Sequence, residues 1–317
     1  MTTSAAATLE QQLQTHLGEI VFGAEDVIHL LTIALIARGH VLLEGPPGIG
    51  KTLLSKSLAA LLGGEFKRVQ ATADLMPADI IGVHLYDQSS QRFEFRPGPL
   101  FADVLLVDEI NRTGPKTQSA LLQAMEEREV SIDRERFELP DNFLVIATQN
   151  PHEFEGTYPL PESQLDRFLM RLEMDHPARN DELQVLQQYG APARERNEMD
   201  VVSAVLDDST IAAARAQAAA VTIEESVYGY LLDLAAASRE HNRVALGLST
   251  RGALGLVRCA RVEAALQDRD FLTPDDIKAL TAAVMRHRLV LTPETMLEGL
   301  ASADIVEDIL ASVDVPR

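Results

Sequence analysis

Residues 45 to 52 read GPPGIGKT, a G-x-x-x-x-G-K-[ST] pattern. Small residues at Gly45, Gly48 and Gly50 let successive backbone N–H groups curl around phosphate oxygens, and the positive end of a following helix would aim them. Pro46, Pro47, Ile49 and Leu53 complete the stretch expected to touch the ligand. Lys51 would reach the β and γ phosphates, and the Thr52 hydroxyl would bind the Mg2+ that bridges them. The ligand these residues describe is ATP with Mg2+.

Two acids follow the apolar run VLLV, Asp108 and Glu109. Charges at the carboxyl end of a central strand lie where open α/β sheets bind ligands. Asp108 would hold Mg2+, mostly through water, and Glu109 would polarise the attacking water. Asn150 follows LVIAT and should emerge at the same edge, where its amide could hydrogen-bond the γ phosphate or the water; taken alone, Asn150-Pro151 would simply be a turn. Arg167, in LPESQLDRF, has ion-pair partners at hand in Asp166 and Glu162. Arg251 falls in the first turn of a helix predicted to be capped by Ser249, where a cation opposes the helix dipole unless a phosphate lies nearby.

These residues need a scaffold. Residues 41–43 form a short apolar run, then comes the glycine loop, then a helical pattern over 51–62 closed by Gly63 and Gly64: strand, loop, helix. Residues 66–70, 104–107 and 143–148 read as further strands, with a helix over 116–128, so the first part is an α/β unit with a parallel sheet flanked by helices. An amphipathic helix over 24–38 precedes it. Residues 83–96 and 130–139 interrupt the rhythm as inserted β-hairpins. Phe93 and Phe95 are two apart, hence on one strand face, open to ordinary packing or to gripping a substrate.

Beyond about residue 180, helical patterns over 211–220, 223–239, 251–266 and 275–289 predict a smaller all-α second domain. The expected domains are 1–180 and 181–317. Thr273 is the predicted cap of the last of those helices, with Pro274 at its first position and Asp276 three residues after the cap.

The 317 residues carry 28 basic and 48 acidic side chains, a formal charge of −20. Nucleic-acid backbones and anionic membranes are repelled overall, which argues against a nucleic-acid partner. No apolar run approaches the roughly 18 residues needed to span a membrane, and the start MTTSAAATLE has no basic or apolar export pattern. Cys259 is the one cysteine, so a structural disulfide is excluded and a cytoplasmic location is expected.

VLLEGPPGIGKT, LLVDEINR, LLQAMEER, ATQNPHEFEGTYPLPESQLDRF and GLSTRGALGLVRCAR occur in one order. The chain resembles the MoxR family of AAA+ ATPases from about Val21 to Leu291. The resemblance implies a P-loop AAA+ core followed by a helical lid, with residues 45 to 52 as Walker A, Asp108 and Glu109 as Walker B, and Asn150 as first sensor. It implies that Arg167 is an arginine finger reaching the nucleotide of a neighbouring subunit, and that Arg251 is the second sensor, although Thr250 stands where relatives often have proline. Val21-Phe22-Gly23 corresponds to a segment that lines the adenine pocket; a plain apolar helix entry explains it too. Both hairpins would face the pore of a ring.

The function so implied is ATP hydrolysis in a homo-oligomeric ring, expected to be a hexamer, that remodels, activates or inserts metal or cofactor into a client protein. A separate protein bearing a von Willebrand factor A domain is the implied partner. A nucleic-acid motor of the same branch and a slowly hydrolysing, nucleotide-gated scaffold are the alternatives.

Overall fold

A computed structural model describes residues 4–132, 135–149, 157–190, 206 and 208–316. Eleven strands, thirteen α-helices and two short 3-10 turns follow one another among them. Two helices lead, α1 (Ala5–Gly18) and α2 (Glu25–Ile36), before β1 (Val41–Glu44), α3 (Lys51–Leu61) and β2 (Phe66–Gln70). A short α4 (Pro77–Ile81) enters the hairpin of β3 (Gly82–Asp87) and β4 (Arg92–Pro97). Then come β5 (Val104–Asp108), α5 (Pro115–Glu127), the second hairpin β6 (Glu129–Ile132) and β7 (Glu135–Glu138), β8 (Leu144–Gln149), α6 (Glu162–Leu165), β9 (Met170–Glu173) and α7 (Arg179–Tyr189). The remainder is α8 (Asp208–Ala220), α9 (Glu225–Glu240), β10 (Val244–Leu246), α10 (Thr250–Leu266), α11 (Pro274–Met285), β11 (Val290–Leu291), α12 (Pro293–Leu297) and α13 (Ser302–Ser312).

Five strands form one parallel sheet in the order β2-β5-β8-β1-β9. The alternation of side chains along each strand splits the core. Val41, Leu43, Val104, Leu106, Leu144 and Ile146 pack in one cluster, and Leu42, Leu105, Val107, Val145 and Ala147 in the other. A strand buried on both faces reads as an unbroken apolar run, which is why VLLV was legible as a strand. Parallel pairing also gathers the carboxyl ends along one edge. There Gln70 stands beside Asp108, and Glu44 between Gln149 and Glu173. The fifth strand, β9, was not anticipated: four residues with Arg171 and Glu173 pointing off the apolar pattern carry too little periodicity.

Both inserted hairpins are present and antiparallel. Phe95 stacks on Phe137 of the second hairpin, ring centroids 4.4 Å apart, and edge-on to Phe101 at 5.5 Å. Phe93, on the same strand, is 71% exposed and touches only Tyr86 across the hairpin among its ring contacts. Ordinary packing therefore explains Phe95 and not Phe93.

The C-terminal part is a helical lid, as expected, with one short antiparallel ladder between β10 and β11. Its α11 starts on the predicted cap, the Asp276 carboxylate accepting the Thr273 N–H at 2.8 Å. One hydrophobic cluster runs without a break from the sheet through α1 and α2 into α8, α10 and α11. Leu9, Leu13 and Leu17 of α1 are its hinge pins, all fully buried. His29 of α2 adds a polar tie, pairing with Glu10 of α1 and, at 2.9 Å, with Glu263 of α10. No helix among the described residues is long and apolar enough to cross a membrane.

Candidate functional site

The glycine loop leaves β1 and enters α3. Gly45 passes so close to the backbone that follows β9 that a Cβ on it would lie 2.1 Å from the Met174 carbonyl oxygen. Gly48 and Gly50 have φ of 83° and 97°, the left-handed region where a Cβ costs energy. Behind the loop, a Cβ on Gly50 would meet Val21 Cγ1 at 3.6 Å and Met174 Cε at 3.9 Å. Val21 of the expected adenine segment is thus brought to the loop, and Gly23, at φ 72°, faces Asp181 of α7. Pro47 and Gly48 are exposed, while Pro46, Ile49, Lys51, Thr52 and Leu53 are half-buried.

Lys51 folds back, its Nζ donating to the Gly45 carbonyl oxygen at 2.7 Å. Partial burial lowers its pKa, opposed by Asp108, Glu109 and Glu44. The ammonium already sits in the field of the acids that would share a nucleotide with it.

Asp108 is the last residue of β5 and buried. Its Oδ1 accepts the Thr148 hydroxyl at 3.2 Å and its Oδ2 the Arg68 Nε at 2.6 Å. Glu109 follows at φ 56°, a left-handed conformation that is uncommon for a residue with a side chain. Its backbone N–H donates to the same Thr148 hydroxyl at 3.0 Å. Its carboxylate accepts Gln70 Nε2 at 2.8 Å and pairs with Arg112 Nε at 3.0 Å. Thr148 therefore fixes both acids from β8, and Gln70 restrains the second from β2. Neither was singled out in the sequence; the signal for Gln70 was its place at the end of a predicted strand level with Asp108.

The Thr52 hydroxyl and the Asp108 carboxylate are hard oxygen donors of the kind Mg2+ takes together with phosphates and water. Among the described residues no group of three or more His, Cys, Asp or Glu could hold a metal. Such a pair suits an ion that arrives bridged to phosphates, and the residues fit it.

The two arginines meet each other at a carboxylate outside this cluster. Arg167 occupies the link between α6 and β9, and its Nη1 is 3.3 Å from Glu126 Oε2. Arg251, in the first turn of α10, puts its Nη1 2.8 Å from the other oxygen of the same carboxylate. The neighbours expected from sequence, Asp166 and Glu162, are not the partners. Asp166 instead accepts the Ser249 hydroxyl at 3.0 Å and Arg288 Nε at 2.7 Å. Ser249 caps α10 as predicted, accepting the Gly252 N–H at 2.9 Å.

The family pattern described as "ATPase family associated with various cellular activities (AAA)" matches residues 40–170, and that of the "AAA lid domain" matches 236–309. The chain is 42% identical over 301 residues to the uncharacterized protein YeaC of Bacillus subtilis, covering 95% of this chain and 93% of that one. It is 36% identical over 307 residues to the chaperone MoxR1 of Mycobacterium tuberculosis, covering 94% and 80%. The chain belongs to the MoxR family of AAA+ ATPases. A crystal structure from Cytophaga hutchinsonii whose name suggests an ATPase superposes with a TM-score of 0.90 at 36% identity, covering 98% and 96% of the two chains.

In this MoxR-family chain the structure brings together Gly45 to Leu53, Asp108 and Glu109, with Val21 and Gly23 behind, and separately brings together Arg167 and Arg251. Asn150 lies outside the described residues. Sequence reasoning missed Glu126, the carboxylate that unites the arginines, because residue 126 and residue 251 meet only in the folded chain.

Proposed function

We propose that the chain hydrolyses ATP at the interfaces of a homo-oligomeric ring, with Arg167 completing the nucleotide site of the neighbouring subunit. The observation that carries this reading is that the two clusters have separate partners. Lys51 lies in the field of Asp108, Glu109 and Glu44, whereas Arg167 and Arg251 share the half-exposed Glu126. Two guanidiniums on one carboxylate leave a net positive pair available to a second copy's γ phosphate.

Thr52 and Asp108 would hold Mg2+, which supplies charge neutralisation at the phosphates. Lys51 would exchange the Gly45 carbonyl for phosphate oxygens. Glu109 would exchange Gln70 and Arg112 for the attacking water. Arg167, with Arg251 beside it, would exchange Glu126 for the transferring phosphoryl group, and Asn150 would act as first sensor. Residues 1–180 would form the nucleotide-binding core and 181–317 the lid.

Hydrolysis would drive remodelling of a client protein in the manner of a chaperone, with the ring a hexamer, a von Willebrand factor A domain protein as separate partner and the cytoplasm as location. MoxR1 is named a chaperone, which supports this reading. The exposed Phe93 and Tyr86 of the first hairpin are suited to gripping an unfolded segment. The −20 charge speaks against nucleic acid as the track.

The test is steady-state ATPase activity against protein concentration for the wild type and Arg167→Ala, with light-scattering mass alongside. Specific activity should rise as rings form, and Arg167→Ala should keep nucleotide affinity while turnover collapses. Concentration-independent turnover by a monomer would sink the shared site.

A further inference from the structure

The residue after α11 and His287 is Arg288, whose side chain is 3% exposed. A buried guanidinium is costly unless every donor is satisfied. Here five N–H groups meet five acceptors. Nε donates to Asp166 Oδ1 at 2.7 Å. Nη1 donates to the Leu169 carbonyl at 3.0 Å and to the Val284 carbonyl. Nη2 donates to the Phe168 carbonyl at 2.5 Å and to the Asp166 carbonyl at 3.3 Å. Four of the five bonds fall on residues 166, 168 and 169, on either side of Arg167.

The same link is held from three other sides. His287 Nε2 donates to the Phe168 carbonyl at 3.1 Å, which makes Nδ1 the bare nitrogen of a neutral ring. Ser249, the cap of the helix that carries Arg251, donates its hydroxyl to Asp166. Leu169, 2% exposed, seats between Gly39 of the core and Gly255 of α10, where Cβ atoms would come within 2.1 and 3.3 Å of its side chain.

We infer that Arg288 is a positioning residue for the arginine finger: with Ser249 and Asp166 it locks the link that carries Arg167 to the lid of its own subunit and sets it in register with Arg251. The inference rests on the reading of Arg167 as a group that serves the neighbouring subunit. A fork of five donors is the chemistry for this task, since it fixes carbonyls on both sides of one residue while leaving that residue's side chain outside. Any displacement of the lid then moves both arginines as one body, so the state of a subunit's own lid is transmitted to the next subunit's nucleotide.

Mixed rings separate this role from simple destabilisation. Arg288→Lys keeps the charge and loses the fork; Asp166→Asn, which weakens the same node with a smaller change, runs in parallel and carries the test should Arg288→Lys melt. Each full-length variant is assayed alone and mixed with Glu109→Gln, which contributes an intact finger and no base of its own. Alone, each node variant should lose at least tenfold in kcat with ATP affinity within about twofold of wild type. Mixed, activity should return, because the finger of a Glu109→Gln subunit serves the intact base of its neighbour; Arg167→Ala mixed with Glu109→Gln is the control. Wild-type turnover by both node variants alone would overturn the inference. So would a defect that Glu109→Gln fails to rescue while it rescues Arg167→Ala. If Arg167→Ala itself is not rescued, the shared-site reading falls and this inference with it.

Discussion

The nucleotide-cradling edge and the arginine edge of this molecule are built on opposite plans. The first is local: Gly45 to Leu53 run through one strand, loop and helix, and the acids of residues 108 and 109 end a strand two places away in the same sheet. The second is assembled from afar, with Arg167, Arg251 and Glu126 drawn from the link before β9, the lid and α5. A local cradle can bind nucleotide in any subunit that folds. An edge that presents cations outward does work only against something else, and its geometry depends on how the lid is seated.

The contrast can be broken most sharply by deleting one charge from each side. Lys51→Ala should lose nucleotide affinity and turnover together, read by calorimetric titration with a non-hydrolysable analogue. Arg167→Ala should lose on the order of a thousandfold in kcat with affinity retained, the scale on which an arginine finger acts. Equal loss of affinity in both variants would mean that the two edges are one site within a subunit.

Gly252→Ala tests whether lid packing governs the arginine edge. A Cβ there would stand 2.5 Å from Leu248 Cδ1 and 2.8 Å from Arg288 Cδ, and both side chains are buried. Overpacking of this kind costs about 1–3 kcal/mol, so a lower melting temperature is expected, with turnover falling further than nucleotide affinity. Glu126→Gln is gentler. It frees Arg167 and Arg251 from a half-exposed carboxylate, and such pairs are worth up to about 1 kcal/mol, so the protein concentration at half-maximal activity should fall by no more than about fivefold.

The smallest effect on turnover is that of His29, whose readout is stability against pH. His29, between Glu10 and Glu263, has its pKa raised to about 10, chiefly by hydrogen bonds to Glu10 and then Glu263. A raised pKa contributes stability in full below the ordinary value near 6.5 and loses it as pH climbs through 10. His40 is the opposite case. Buried, accepting the Val145 N–H and donating to the Met125 carbonyl, it is held down to about 3, so its folded form loses stability as pH falls below 6.5. Thermal melts of wild type and His29→Gln should therefore diverge at pH 7 and converge by pH 11; curves that stay parallel would remove His29 from the seam between core and lid.

Much of this was legible beforehand. The parallel α/β core, both hairpins, the glycine loop, the paired acids and the Ser249 and Thr273 caps follow from spacing, because each is decided by residues within one turn or one strand of each other. Strand β9 was missed, as was α1, whose Leu9, Leu13 and Leu17 recur every four residues. Gln70 could have been found from its strand position; Glu126 and Arg288 could not.

By itself the sequence determined a chain that folds a phosphate-binding loop onto a buried strand and sets two acids beside it, since backbone curvature, apolar alternation and helix capping are short-range properties. Which cations stand together, and what holds them, was decided only in the tertiary structure. The Arg288 fork reaches across 120 and 122 positions to the Phe168 and Asp166 carbonyls, and Arg251 reaches across 125 to Glu126. A guanidinium finds its acceptors by proximity in space, and no spacing in the chain encodes a contact that the packing of lid against core creates.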